Sequence, residues 1–417
     1  MKKIYLTVFS LVAACVVQAQ SYSLADLESA FLTNNYALIA QKFNIQRADA
    51  EIIQEKVWSN PTFSINEVNI WNNKTAETLP NLFGNYGKHQ QLALELEQLI
   101  ETAGKRKHRV ALRKLEKNGE LLDYEELIRE LKKELRQTFN SLGQQEQVSQ
   151  QLHAISENFQ LLHEQYKRQA KANNVALADV YRVQAELIAL QKEVIANDAE
   201  KRASLQQLMA LTQIHDLKVE QLTFPPIAKE LSKKVPLTLL TTGLEGNLGI
   251  QKQANELAMA NQELLLEKSN RKPDLTFSLN YDRGGNIMQD FVGAGVSFDI
   301  PVFNRNKGKI KAVGFQIEQE SYKLKSTQFD VEQNVKRLQQ QLQAYEGSLA
   351  QWDSYRFDEY AAIAENYRKN LQEKRVSLIE FVDFIKAFRE SQQMYVELVA
   401  DYLNTYEELQ YVVGKDF

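Results

Sequence analysis

The chain has 417 residues, room for two or three ordinary domains or for one long repetitive one. Apolar residues make up 44%, enough to build a sizeable buried interface, and 50 basic against 54 acidic residues leave a formal charge of only −4. That balance argues against a nucleic-acid binder, and no Lys/Arg block is expected to form a patch that tracks a nucleic-acid backbone, so no nucleic-acid partner is expected.

The N-terminus reads as an export signal, residues 1–19. Lys2 and Lys3 give the positive start, and Ile4 to Ala14 form an apolar stretch too short to span a bilayer. Two cleavage readings stand. Val17-Gln18-Ala19 before Gln20 suits a peptidase that favours small residues, whereas Val12-Ala13-Ala14-Cys15 reads as a lipobox that would leave Cys15 lipidated. On the first reading the mature chain has no cysteine, hence no disulfide and no thiolate chemistry. No later run of about 18 apolar residues follows, so a membrane crossing would have to use β-strands.

Proline marks the next level of organisation. The seven prolines are Pro61, Pro80, Pro225, Pro226, Pro236, Pro273 and Pro301, leaving 81–224 and everything after 301 free of them. A helix interior rejects Pro at about 3 kcal/mol, so these Leu-, Glu-, Gln- and Lys-rich tracts predict long helices. Segment 105–168 alone would reach about 95 Å at roughly 1.5 Å per residue. Heptad-like spacing through Leu121, Leu122, Tyr124, Leu127, Leu131 and Leu135, and through Leu187, Leu190, Val194 and Ile195, fits coiled coils, as does Tyr395, Leu398, Val399 and Tyr402. The chain order then reads as two halves. The first, 20–225, holds a helix, strands at about 62–71 and 91–98, and a helical hairpin at about 105–214. The second, 226–417, holds a helix, strands at about 274–282 and 291–300, and a hairpin at about 306–414.

The strands rest on alternation. Leu92 to Glu97, Leu275 to Asp282 and Val296 to Ile300 alternate apolar with polar residues, and Thr62 to Trp71 does so less cleanly. Such strands suit a wall between lipid and a wet lumen, and equally a half-buried soluble sheet. On the lumen reading the inner face carries Glu95, Glu97, Ser278, Asn280, Asp282, Ser297 and Asp299. Trp58, Trp71 and Tyr281 are candidates for interfacial belts or for packing against helices.

The halves match residue by residue. Asn35, Gln41, Ala48, Lys56 and Pro61 pair with Asn247, Gln253, Ala260, Lys268 and Pro273 at a constant offset of 212. Gly104-Lys105 pairs with Gly308-Lys309 at 204, and Tyr166, Val175, Leu177 and Asp179 pair with Tyr367, Val376, Leu378 and Glu380 at 201. Offsets that change where loops are expected indicate duplication. Both glycines are predicted to turn a strand-to-helix corner.

This duplicated order resembles the TolC family of outer-membrane efflux proteins over essentially the whole mature chain. The likeness rests on Asn35 with Leu38 and Ala48, on Asn60-Pro61 and Pro273-Asp274-Leu275 leading into strands, and on Ile300-Pro301-Val302-Phe303-Asn304 with Gly308. Leu96 to Arg106, with its Glu-Thr-Ala-Gly-Lys-Arg corner, resembles the CzcC- and CusC-like heavy-metal branch. The resemblance implies a mainly α chain with a β-barrel part, four strands each. A homotrimer would form a twelve-stranded outer-membrane barrel continuing into a twelve-helix periplasmic tunnel. The implied role is the passive exit duct of a tripartite efflux pump. Its implied partners are a periplasmic adaptor (membrane fusion) protein, an inner-membrane RND transporter and outer-membrane lipid, with heavy-metal cations or other small molecules as cargo.

Within the resemblance, the turns at Lys171 to Val175 and Gln372 to Val376 are the adaptor-contacting tips, carrying Asn174, Val175, Leu177, Asp179, Lys374, Val376 and Leu378. Asn174 and Lys374 stand where the family often has Gly, and because Lys adopts the left-handed conformation poorly, the second tip is expected to turn differently. Glu380 and Asp383, three apart on one helix face, match the carboxylates that line the family's closed aperture. Three copies would crowd negative charge around a narrow opening, repelling anions and attracting cations. Asp179 and Glu380 also read simply as first-turn carboxylates favoured by the helix dipole.

No catalytic role emerges. His89, His108, His153, His163 and His215 show no ligand spacing, and no nucleophile elbow, phosphate loop or dinucleotide fingerprint occurs, so neither enzyme activity, cofactor nor metal site is expected. A reading of another class, a periplasmic coiled-coil scaffold or adaptor, would carry one helical hairpin beside Gly- and Val-rich domains, whereas this sequence has two hairpins and few Gly.

Overall fold

Helix boundaries follow local capping chemistry, and the duplication repeats it. A computed structural model describes residues 21–66, 78–284, 288–352 and 357–417; the expected export signal, Cys15 and Trp71 lie outside these residues. Helix α1 (Leu24–Asn34) starts at Ser23, which forms a reciprocal capping box with Asp26. It breaks at Asn35, whose backbone is extended (φ −63°, ψ 121°), and α2 (Tyr36–Lys56) follows. The Asn35 carboxamide oxygen accepts from Ala37 and Leu38 N at 3.0 and 3.2 Å. In the second half α5 (Leu239–Gly246) breaks at Asn247 with nearly the same angles, −64° and 122°, and Asn247 caps α6 (Leu248–Ser269) by accepting from Ile250 N at 2.9 Å. The repeated asparagine is therefore a helix cap in both halves.

The Pro-free tracts are helical as expected. Helix α3 (Lys105–Lys171) runs for 67 residues and α4 (Leu177–Thr212) for 36. In the second half the tract comprises α7 (Lys307–Gln351), α8 (Phe357–Gln372) and α9 (Leu378–Val413). Among the described residues no helix is long and apolar enough to cross a membrane.

Four strands form one antiparallel sheet in the order β1 (Thr62–Asn66), β2 (Ala93–Ile100), β3 (Leu275–Gly284) and β4 (Gln289–Ser297). Two expectations need correction here. The fourth strand ends at Ser297, so Asp299 lies beyond the sheet and is not part of either strand face. Gly104 does take a left-handed φ of 73°, but Gly308 sits inside the first turn of α7, and Asn306 (φ 54°) makes the equivalent corner. An Asn side chain tolerates that conformation, which relieves the glycine of the task.

The chain divides into two compact units that cut across the sequence halves. One comprises the described part of Met1–Leu38 with Ile128–Leu239 and Val335–Phe417; the other comprises Ile39–Leu127 and Leu240–Asn334. In the first unit the hairpins share a core in which Phe159, Leu162, Val183, Leu187 and Leu190 meet Leu378, Phe381, Val382 and Ile385. Tyr402 Oη there accepts from Leu231 N at 2.7 Å, tying the 3-10 turn Leu231–Lys234 to α9. In the second unit Gln41 donates to Glu120 on α3, and its repeat partner Gln253 donates to Glu320 on α7.

Candidate functional site: the two-faced sheet and the helical turns

Register decides what the sheet can do. Phe63 pairs with Leu96 and Ile65 with Leu94; Leu94 and Leu96 pair with Tyr281 and Leu279, which in turn face Val292 and Ala294. Because side chains alternate between faces, these residues form one apolar surface, extended by Phe277 opposite Val296. Phe63, Ile65, Leu96, Phe277, Leu279, Val292 and Val296 are all exposed. The opposite face carries Ser64, Glu95, Asn280 and Gly293 in one row and Thr62, Glu97, Ser278 and Gly295 in the next, with exposed Leu99 and Phe291 as apolar members of the flanking rows. Six of the seven expected polar-face residues, Glu95, Glu97, Ser278, Asn280, Asp282 and Ser297, therefore share a face. Gly295 leaves room there, since a Cβ would come within 2.7 Å of Ser278 Oγ. Strands β1 and β4 each have a neighbour on one side only, so both edges of the sheet keep unpaired backbone groups.

The turns between long helices close alike. In the first, Asn173 takes φ 57° and Asn174 N donates to Gln169 O at 2.9 Å; in the second, Lys374 takes φ 60° and Arg375 N donates to Asn370 O at 2.8 Å. The left-handed residue of the first turn is thus Asn173 rather than Asn174, and the offset of 201 pairs it with Lys374. The second turn does not differ in form, against expectation: its hydrogen bonds outweigh a left-handed cost of roughly 1–2 kcal/mol.

The expected tip residues separate on burial. Leu177 is 61% exposed and Lys374 is exposed, whereas Leu378 is 7% exposed and belongs to the core. Leu378 thus supports the turn from within. Val175 and Val376 are half-buried, and Asp179 lies 3.7 Å from Arg182. Glu380 completes a capping box, its Oε2 accepting from Ser377 N at 2.8 Å and from Ser377 Oγ at 2.9 Å. Those donors hold the Glu380 carboxyl below the ordinary glutamate range. Asp383, one turn on, is exposed.

No family model matches the sequence, and no curated protein matches it. Solved structures do. CusC, described for its conformational changes on folding and transmembrane channel formation, superimposes with a TM-score of 0.73 at 14% identity, over 94% of this chain and 92% of that one. The outer-membrane protein VceC from Vibrio cholerae gives 0.73 at 14% identity, over 94% and 96%. The outer-membrane channel MtrE of Neisseria gonorrhoeae, in its open state, gives 0.71 at 11%, over 94% and 89%. The chain has the TolC-type channel fold.

On that fold, one feature escaped the sequence reading. Arg389 of α9, its side chain 10% exposed, reaches Glu186 of α4 at 2.8 Å and Glu193 at 3.5 Å. Its Nε and Nη1 are buried without a partner, beside a cleft of about 610 Å³ that Gln144, Gln145 and Asn197 also line. The signal was present: Arg389 falls four residues after Ile385 on the apolar stripe of α9, and Glu186 three after Val183 on that of α4. Charges on facing apolar stripes imply a buried pair.

Proposed function

We propose that the chain is the outer-membrane exit duct of a tripartite efflux pump, working as a homotrimer that extends into the periplasm. The observation that carries this reading is the sheet: one exposed apolar face, one polar face, and two unpaired edges. An open sheet of this kind is unstable in lipid, because every backbone group at its edges lacks a partner. Three copies joined edge to edge would close twelve strands, with lipid on the apolar side and water on the side of Glu95, Glu97 and Asp282. The helices support lateral association as well. Tyr181, Ile188 and Ile195 on α4 and Phe315, Tyr322 and Phe329 on α7 are exposed at heptad spacing, a pattern that buries itself against a neighbouring helix. A periplasmic scaffold would have no use for the two-faced sheet.

The long hairpins would then form the tunnel, and their turns would meet the adaptor beneath which the RND transporter sits. Exposed Leu177, Asn174, Lys374 and half-buried Val175 and Val376 are the contact residues of this reading. Glu380 and Asp383 would ring the aperture. Heavy-metal cations are the proposed cargo, supported by the acidic residues of the polar face and by the resemblance of the Glu101-Thr102-Ala103-Gly104-Lys105-Arg106 corner to the CzcC- and CusC-like branch. Fractionation tests the reading. The protein should pellet with outer membranes, migrate as a trimer in SDS before heating, and conduct ions in planar bilayers; a soluble, non-conducting monomer would rule it out.

A further inference from the structure

Below the sheet, the corner that leads β2 into α3 gathers cations that the duct reading does not use. Ala103 (φ 55°) and Gly104 (φ 73°) turn the chain there. Two charges at the corner are already matched: Lys105 lies 2.8 Å from Asp274, and Glu101 accepts from Arg109 at 2.7 and 2.8 Å. The remaining cations are unmatched. The Arg106 guanidinium lies 3.9 Å from the centre of the exposed Trp58 ring, and its Nη1 is shut off from solvent with no hydrogen-bond partner. Among the described residues no carboxylate lies within 4.0 Å of Lys56, Arg106, Lys107 or Lys114. All four border a single cavity of about 470 Å³, with Trp58 on its wall and Glu101 as its only carboxylate.

Four unpaired cations around one cavity, one of them with a guanidinium N–H lacking an acceptor, ask for an anion with several oxygen acceptors. The start of a 67-residue helix adds positive potential at the same place. We propose that this corner binds the phosphate of an anionic phospholipid headgroup. Arg106 donates to the phosphate oxygens, Lys56, Lys107 and Lys114 supply the surrounding field, and Trp58 lies at the headgroup boundary, where an indole is at home. The phosphate chemistry follows from the cavity alone; lipid as its source rests on the outer-membrane reading, which sets this corner at the base of the barrel.

The test uses the full chain in neutral detergent, in a Trp71→Phe, Trp352→Phe background that leaves Trp58 as the fluorescent reporter. It is titrated separately with short-chain phosphatidylglycerol, short-chain phosphatidylcholine and inorganic phosphate. Phosphatidylglycerol should bind at least about tenfold more tightly than phosphatidylcholine, and Arg106→Gln with Lys114→Gln should abolish the preference. Equal affinity for the two lipids, or a preference that survives both substitutions, overturns the proposal. Saturable binding of inorganic phosphate without preference between the lipids overturns the lipid assignment in favour of a soluble phosphate. Trimer migration and conductance of the same variants report separately on the duct reading and on folding.

Discussion

At the scale of single residues, the same side chain often does a structural task and is placed for another. Glu380 illustrates this. Its carboxylate caps α9 through Ser377, and it also stands beside Asp383 at a helix start. Because the capped carboxyl titrates below its ordinary range, the stability it gives is complete above the unfolded value and is lost as pH falls through the lower folded one. Glu380→Gln keeps a capping partner at the third helical position while removing charge. In the proposed aperture, Glu380→Gln with Asp383→Asn should therefore abolish block of single-channel current by divalent cations while leaving trimer assembly intact. Unchanged block would remove the gate assignment. Arg389 makes a second residue-scale prediction. Arg389→Ala leaves Glu186 without its cation and should cost about 2–3 kcal/mol, read as a lowered Tm by circular dichroism. Restoring apolar packing with Arg389→Met and Glu186→Leu should recover most of the loss. Each charge is legible on an apolar stripe, but their pairing is not, because periodicity assigns a face to a charge and does not name its partner across the bundle.

At the scale of elements, what was legible followed from steric rules. Proline exclusion gave the long helices, and alternation gave the places of the four strands, with the expected stretch 67–71 of the first lying outside the described residues. The ends were harder. Phe298 and Ile300 keep the alternation of β4, yet the ladder stops at Ser297, since pairing is a property of two strands and alternation of one. Corners were misjudged for a related reason: Gly308 matched Gly104 in sequence, but Asn306 supplies the positive φ. The matched asparagines offer the element-scale test. Asn35→Ala and Asn247→Ala should each cost about 1 kcal/mol through loss of a cap. Asn35→Ala loses in addition the 2.9 Å bond from Asn35 Nδ2 to the Leu211 carbonyl in a buried setting, which brings its cost to about 2 kcal/mol. Thermal unfolding of each variant checks the loss.

At the scale of the whole molecule, duplication was visible in residue offsets, but the compact units were not. Each unit draws on both halves, because equivalent elements of a duplicated chain pack on one another rather than each half on itself. The sheet is the part of the molecule in which a single chain is least complete, with its apolar face exposed and its edges open. In the proposed duct a lipid-facing and a water-facing side alternate residue by residue along β3. Cysteines placed singly at Phe277, Ser278, Leu279 and Asn280, in a Cys15→Ser background, test this in bilayers with a charged, water-soluble thiol reagent. The account predicts that the reagent modifies positions 278 and 280 and lowers the current, while 277 and 279 stay unreactive. Equal reaction at all four positions, or reaction without any effect on current, would contradict it.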